Sequence, residues 1–374
     1  MSDSVGHSQG LAQVGTGRAQ EPPLLLSGLD SLYVCYYLDA HTGGLDWDRL
    51  AYEKERLKVT REELVELELG SERLALLPYG RHPYRYVLSC CDFEVRLAER
   101  LQPCCQIQFS SQGLWKHGKD ALTARVAAWF RSLGIVATQP EVVSRADWAF
   151  DYHLPVVDFD LDSFVSRATK DGQNREHGAV QTYRFGQGAT VVRVYDKVAE
   201  IEQQSGKAVF YELWGQTENV WRIEFQLRSE RLKQGGIRTL ADLDEFQGDV
   251  LREVASQHTT LREKTSDPNR SRWPLHPLWR RLQADIARLP ETGLIREIDP
   301  AVELDWRLHR QLRSLYGSLK GLAAIRSLLE AQDKAMPLET LLAELPDLLR
   351  DEHAESIWLS DVNDRITKHG YGQW

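Results

Sequence analysis

No stretch of this 374-residue chain approaches about eighteen uninterrupted apolar residues, so the sequence offers no candidate membrane-spanning helix. Nor does it open with the basic start and apolar run of a secretory signal. Its first residues, MSDSVGHSQGLAQVGTGRAQEPP, are rich in Gly, Ser and Gln and read as a disordered leader over 1–23. These two absences lead to the expectation of a cytoplasmic protein without a membrane partner. Cysteine is sparse and irregular: Cys35 and the pairs Cys90-Cys91 and Cys104-Cys105, five in all, with no CxxC. That pattern argues against a disulfide framework or a zinc site. Their contexts, YRYVLSCCDFEV and QPCCQIQF, suit small buried hydrophobes. A paired His-x-His motif is also missing; His117, His153 and His177 are scattered and read as surface or core residues. There is no internal repeat.

What is present is enough for a sizeable core. The hydrophobic content is 42%, and the length suits two domains, or one mixed domain with a helical extension. The net charge of -9 opposes phosphate binding only in sum. Between Phe164 and Leu240, Lys and Arg outnumber Asp and Glu, while acidity gathers in WDRLAYEKERLKVTREELVELELGSE and LETLLAELPDLLRDEHAESIWLSD. A locally basic surface on an acidic protein fits this distribution.

Alternation marks strands in LDSLYVCYYLDA, Tyr84-Val95, Cys104-Phe109, EVVSRADWAFDYHL, TYRFGQG, ATVVRVYDKVAEIEQQ (a strand running into a helix) and NVWRIEFQLRS. Helical spacing appears in the charged segment Trp47 to Leu69 and in KDALTARVAAWFRSLGI, with Gly134 as its C-cap. LDSFVSRATKDG reads as a short helix. From about Leu240 the pattern is helical, and Pro268, Pro274 and Pro277 mark a connection. The expected fold is α+β: an antiparallel-rich central sheet with flanking helices over 24–267, then a helical C-terminal region over 268–374. RSRWPLHPLWRRLQ is basic and Trp-rich; it suits either DNA contact or a helix docked by Trp273 and Trp279.

Three strands alternate apolar with functional side chains. In VVRVYDKVAE, Arg193, Tyr195 and Lys197 share one face. Arg145, Asp147 and Asp151 do so in SRADWAFDY, and Arg222, Glu224, Gln226 and Arg228 in VWRIEFQLR. The strand around Tyr195 is either a solvated sheet face or a tyrosine whose hydroxyl meets a phosphate. If the strands pair, Asp147 and Glu224 converge beside Tyr195. Oxygen ligands of that kind select a hard divalent ion, unless arginine–carboxylate pairs neutralise them without a metal.

GLDSLYVCYY, IQFSSQGLW, SRADWAFDY, TYRFGQGATVVRVYDKVAE and VWRIEFQLRSE follow one another in the order and approximate spacing of the replication initiation factor family. The chain resembles that family of rolling-circle plasmid and phage replication initiators and related relaxases from about Gly28 to Arg231. Its most specific element is the F-G-x(n)-R-x-Y-D/N-K-x-x-E run followed by W-R-x-E. The resemblance implies that Tyr195 is the nucleophile, with Lys197 and Arg193 favouring the phenolate and binding phosphate. It implies a magnesium or manganese site at Asp147 and Glu224, with Asp151 and Glu200 at further acidic positions. DNA contacts are expected from Arg222, Arg228, Arg145 and Arg184. One departure is Gln108, where some members carry a glutamate.

The function so implied is a metal-dependent endonuclease and strand transferase. The tyrosine attacks an origin phosphate to give a 5'-phosphotyrosine and a free 3'-OH for a host polymerase. A host helicase and a homodimer are implied partners. A conjugative relaxase, an inactive DNA-binding relative and a water-using nuclease are the rival readings.

Overall fold

A computed structural model describes residues 21–39, 44–176, 178–289, 300–330, 335–350 and 354–370. Most of the expected leader, residues 1–20, and His177 lie outside the described residues. In chain order the strands are β1 (Leu24–Tyr36), β2 (Leu38–Asp39), β3 (Val65–Leu69), β4 (Glu72–Leu76), β5 (Tyr86–Ser89), β6 (Phe93–Leu97), β7 (Cys105–Phe109), β8 (Val136–Ala137) and β9 (Val142–His153). They continue as β10 (Phe164–Ser166), β11 (Asp171–Glu176), β12 (Ala179–Phe185), β13 (Thr190–Asp196), β14 (Val220–Arg228) and β15 (Thr259–Leu261). The helices are α1 (Trp47–Thr60), α2 (Ser111–His117), α3 (Lys119–Ser132), α4 (Lys197–Glu200), α5 (Val209–Trp214), α6 (Ser229–Gln234), α7 (Leu240–Glu253), α8 (Pro277–Ile286), α9 (Pro300–Leu329), α10 (Leu338–Leu348) and α11 (Glu355–Gly370).

Eleven strands form one antiparallel sheet in the order β11-β12-β13-β14-β9-β1-β7-β6-β5-β4-β3, so the expected α+β architecture with a helical C-terminal region is what the chain adopts. Alternation explains the layering. On β9 and β14 the residues Trp148, Phe150, Tyr152, Ile223, Phe225 and Leu227 all point into the main core, as do Val192 and Val194 of β13. Helices cover that face. Leu243, Val250 and Leu251 of α7 join the core, as do Leu278, Trp279, Leu282 and Ile286 of α8. Further along the chain's first half, α1 buries Leu50 and Leu57, while α3 buries Leu122, Val126, Trp129 and Phe130. Polar side chains therefore gather on the opposite face of β13, β14 and β9.

Several local expectations resolve in physical terms. The stretch from Trp47 to Leu69 is not one helix: α1 ends at Thr60, Arg61 takes a left-handed φ of 61°, and the chain turns into β3. LDSFVSRATKDG is likewise a single 3-10 turn, Leu161–Ser163, followed by β10, because Phe164 and Val165 pair with Leu261 and Thr260 of β15. Gly134 sits one position beyond the C-cap Leu133 of α3 at φ 66°. Gly186 turns β12 into β13 at φ 88°; a Cβ there would lie 2.3 Å from the Thr190 carbonyl oxygen, which accounts for glycine in FGQG.

Contacts divide the chain into a compact unit up to Arg296 and a second from Glu297. The helical region expected from 268 thus begins, in α8, with a helix of the first unit's core. Trp279 is fully buried and its indole N–H donates to the Ala255 carbonyl at 2.7 Å, while Trp273 donates to the Asp267 carbonyl. Of the two tryptophans in RSRWPLHPLWRRLQ, Trp279 therefore docks a helix, and Trp273 closes the loop before it. In the second unit, Leu319, Met336 and Leu341 pack α9 against α10. Among the described residues no helix is long and apolar enough to cross a membrane.

Candidate active site

Neighbouring strands bring the three motif segments together. Across the β13–β14 ladder Arg193 lies opposite Glu224 and Tyr195 opposite Arg222; across β14–β9, Arg222 lies opposite Asp151 and Gln226 opposite Asp147. Because Arg193 and Tyr195 alternate with the core valines of β13, both stand on the polar face with Glu224. The Tyr195 hydroxyl donates to Glu224 Oε2 at 2.9 Å. The other oxygen, Oε1, accepts from Arg193, whose second guanidinium nitrogen donates to Gln226 Oε1 at 2.9 Å. A hydroxyl, a carboxylate and an orienting guanidinium thus form one chain of hydrogen bonds.

Tyr195 is nearly enclosed, 8% exposed, and its phenol pKa stands well above the usual range. Burial is the main cause, reinforced by the Glu224 carboxylate, and the Arg222 guanidinium opposes it only in part. The resting group is therefore a neutral phenol, and the Arg222 guanidinium is the cation that pulls its pKa down. Lys197 follows Asp196, which caps α4 by accepting from the Ala199 amide at 3.0 Å. Its buried ammonium lies 5.7 Å from the Tyr195 ring centre and 5.2 Å from that of Phe210, and bonds Glu200. Burial lowers the Lys197 pKa, with the Arg222 charge adding to the effect and Glu200 opposing it.

Beside Tyr195 on the same face lies a closed ion network. Arg222 is fully buried; its Nε and Nη2 donate to the two oxygens of Asp151 at 2.6 and 2.8 Å, and Nη1 donates to Asp30 Oδ1 at 2.9 Å. Trp214 donates to Asp151 at 2.9 Å, and Ser111 and Trp115 each donate to Asp30 at 2.8 Å. Burial pushes the Asp30 pKa up, but Arg222, Trp115, Lys197 and Ser111 outweigh it and hold the carboxyl at about 2. Arg222, expected among the DNA contacts, is sealed into this network and cannot meet a phosphate without breaking it. Asp151, expected near a metal, is its counter-ion.

The remaining candidates separate into two groups. Arg145 bonds Asp147 through Nε at 2.8 Å to Oδ1, with Nη2 on the other oxygen, and its guanidinium stacks 4.9 Å from the Tyr33 ring centre. Burial outweighs Arg145 and pushes the Asp147 pKa up to about 6. Gln108 stands nearby on β7 and accepts from Arg96 at 2.7 Å. Arg184 is exposed and lies opposite Arg193, whereas Arg228 is exposed at the end of β14 opposite Arg145. Tyr183 points the other way, into the core, and donates to the Phe159 carbonyl at 3.1 Å.

The carboxylates on this face are paired with arginines. Asp147 and Glu224 do share the face and feel each other's charge, yet each is held by its own arginine. Asp151 and Glu200 belong to Arg222 and Lys197. Among the described residues no three His, Cys, Asp or Glu side chains are grouped to hold a metal ion, so the donor set as arranged does not fit one. Asp30 and Trp115 lie inside GLDSLYVCYY and IQFSSQGLW, and Phe210 and Trp214 between the two motif strands β13 and β14, yet their part in the network escaped sequence reading because it depends on how β1, α2 and α5 meet Arg222 and Asp151 in the fold. Alternation around GLDSL was the one available signal for Asp30.

Tyr195, Arg193 and Glu224 open into a cleft of about 550 Å³. Its far walls are the β11–β12 hairpin, including Lys170 and Arg184, and the π-helical turn Ile201–Ser205 that follows α4.

No family model matches the sequence, and no curated protein matches it. Among solved structures the chain is similar to a rolling circle replication initiator protein from Geobacillus stearothermophilus, at 18% identity and a TM-score of 0.39, over 70% of this chain and 96% of that one.

Proposed function

We propose that this chain nicks and rejoins a DNA strand through Tyr195, as an initiator of rolling-circle replication. The observation that carries the proposal is the Tyr195–Glu224–Arg193 relay opening into a cleft: a nucleophile, a base within hydrogen-bond reach and a third group that orients the base. The resemblance of VRVYDKVAE and VWRIEFQLR to the replication initiation factor motifs supports the same reading.

Because burial keeps the phenol neutral, the attacking oxygen must shed its proton as the bond forms. Glu224 is placed to take it, which makes the step general-base catalysis. Tyr195 Oη attacks the phosphorus, the bond to the 3' oxygen breaks, and the leaving oxygen is protonated to a free 3'-OH. The strand then remains attached to the protein as a 5'-phosphotyrosine. Reversal closes the strand without ATP, since the two phosphoester bonds are of similar energy. Arg193 and Arg184 supply positive charge at the cleft for the phosphate oxygens. Lys197 holds the ring of Tyr195 from below.

The magnesium or manganese ion expected at Asp147 and Glu224 carries no step of the proposal, because each carboxylate as arranged is bonded to an arginine. The proton transfer runs from Tyr195 to Glu224 alone.

The test is cleavage of a supercoiled plasmid carrying the cognate origin, or of arrayed hairpin oligonucleotides, by wild type and Tyr195→Phe, with products resolved before and after protease. A protein-linked 5' end that disappears in Tyr195→Phe is the expected result. Cleavage persisting in that variant would sink the assignment, pointing to a water nucleophile, and binding without cleavage would identify an inactive relative.

A further inference from the structure

The cleft beside Tyr195 has walls that the nicking reaction does not explain. Six side-chain amides line it: Gln173, Asn174, Gln181, Gln187, Gln203 and Gln204. They come from three separate places, the β11–β12 hairpin, the Gly186 turn and the π-helical turn after α4. None of these amides bonds to another part of the described chain. Lys170, Arg184 and Arg193 in the same lining suit phosphate, whereas the amides add paired donor and acceptor atoms that a phosphate does not need. Tyr195 is the one aromatic ring in the lining, so a ligand there is read along its edge more than across its face.

We infer that this cleft holds one unpaired nucleobase flanking the scissile phosphate and reads it through these amides, with adenine favoured. The inference rests on the nicking reading for its position, and on the amides for its chemistry. Asn and Gln pair bidentately with the N6 and N7 edge of adenine. The volume of about 550 Å³ lies within the roughly 300–1,000 Å³ of pockets that enclose small molecules, so the base must leave its stack to enter. Gln181 on the hairpin and Gln203 on the helical turn line the cleft from two different elements, which makes them the pair to remove together.

The experiment uses Tyr195→Phe protein, which keeps the cleft but cannot form the adduct. Strands are selected from a randomised single-stranded DNA pool, and an abasic site is then scanned through the best binder. At one position, loss of an adenine should weaken binding by about 5- to 150-fold, the range expected for a bidentate base contact. Gln181→Leu combined with Gln203→Leu should bind intact and abasic strands alike. Gln204→Ala with Gln173→Ala is the second variant should the first lose its circular dichroism spectrum. Tolerance of abasic sites at every position, or discrimination that survives in the folded variants, overturns the inference. Nicking of the selected strand by wild type is scored separately: a base preference without nicking sinks the tyrosine reaction and leaves the cleft assignment standing, whereas nicking without a preference does the reverse.

Discussion

Asp30→Asn isolates the buried network beside the tyrosine. The Asp30 side chain is 14% exposed and its pKa falls from 3.8 to about 2, so its charge is worth more in the folded chain than in the unfolded one. At about 1.36 kcal/mol per pH unit, that drop contributes about 2.5 kcal/mol of stability at pH 7. The sign follows from proton uptake. The unfolded chain binds this proton first, so the contribution is full above pH 3.8, about half gone near pH 3 and mostly lost as pH passes 2. Asparagine keeps the shape and an acceptor for Ser111 or Trp115 but removes the charge facing Arg222. Urea unfolding of both proteins should show a gap of about 2.5 kcal/mol at pH 7 that narrows towards pH 3, down to the lowest pH at which wild type folds. A gap that does not change with pH, or one below about 0.5 kcal/mol at pH 7, would refute the view that Asp30 acts through its charge on Arg222.

Glu224→Gln should lower nicking by about 10²- to 10⁴-fold, the range for loss of a general base, while oligonucleotide binding holds; equal losses in both would mean that Glu224 serves binding. Asp147 has the opposite pH behaviour to Asp30. With its pKa raised from 3.8 to about 6, its contribution is full below 3.8 and is lost as pH rises through 6. Wild type should therefore lose about 1.4 kcal/mol between pH 5 and pH 8 that Asp147→Asn does not lose, measured by the same unfolding series. Trp279→Ala should cost about 3–5 kcal/mol, because the indole is fully buried and gives up a hydrogen bond to Ala255; a thermal melt shows it as an early transition.

Period-two alternation made the strands legible, and with them the shared face of Arg193, Tyr195, Glu224 and Gln226, because a strand's facing depends on local sequence alone. Strand order does not. Nothing local says that β9 pairs with both β14 and β1, the arrangement that sets Asp30 against Arg222. The sequence left Arg222 between a phosphate ligand and a structural partner of carboxylates for that reason: its counter-ions arrive from β1 and β9. Helix extents failed where tertiary pairing decided the outcome, as when Phe164 joined Leu261 in a ladder. The cleft amides could be seen in the sequence only as scattered glutamines and an asparagine, since the hairpin and the turn after α4 meet only in the folded chain.

Tyr195 is fastened into a strand with ladder partners on both sides, Thr182 and Arg222, one residue before a capped helix. Such an anchor allows little travel. In the proposed reaction the attached 5' end is therefore moored to an immovable post, and the protein cannot carry it across to a waiting acceptor. Rejoining depends on the 3' end being brought back to the post, so the timing of closure is set by the path of the displaced DNA and not by any swing of the tyrosine.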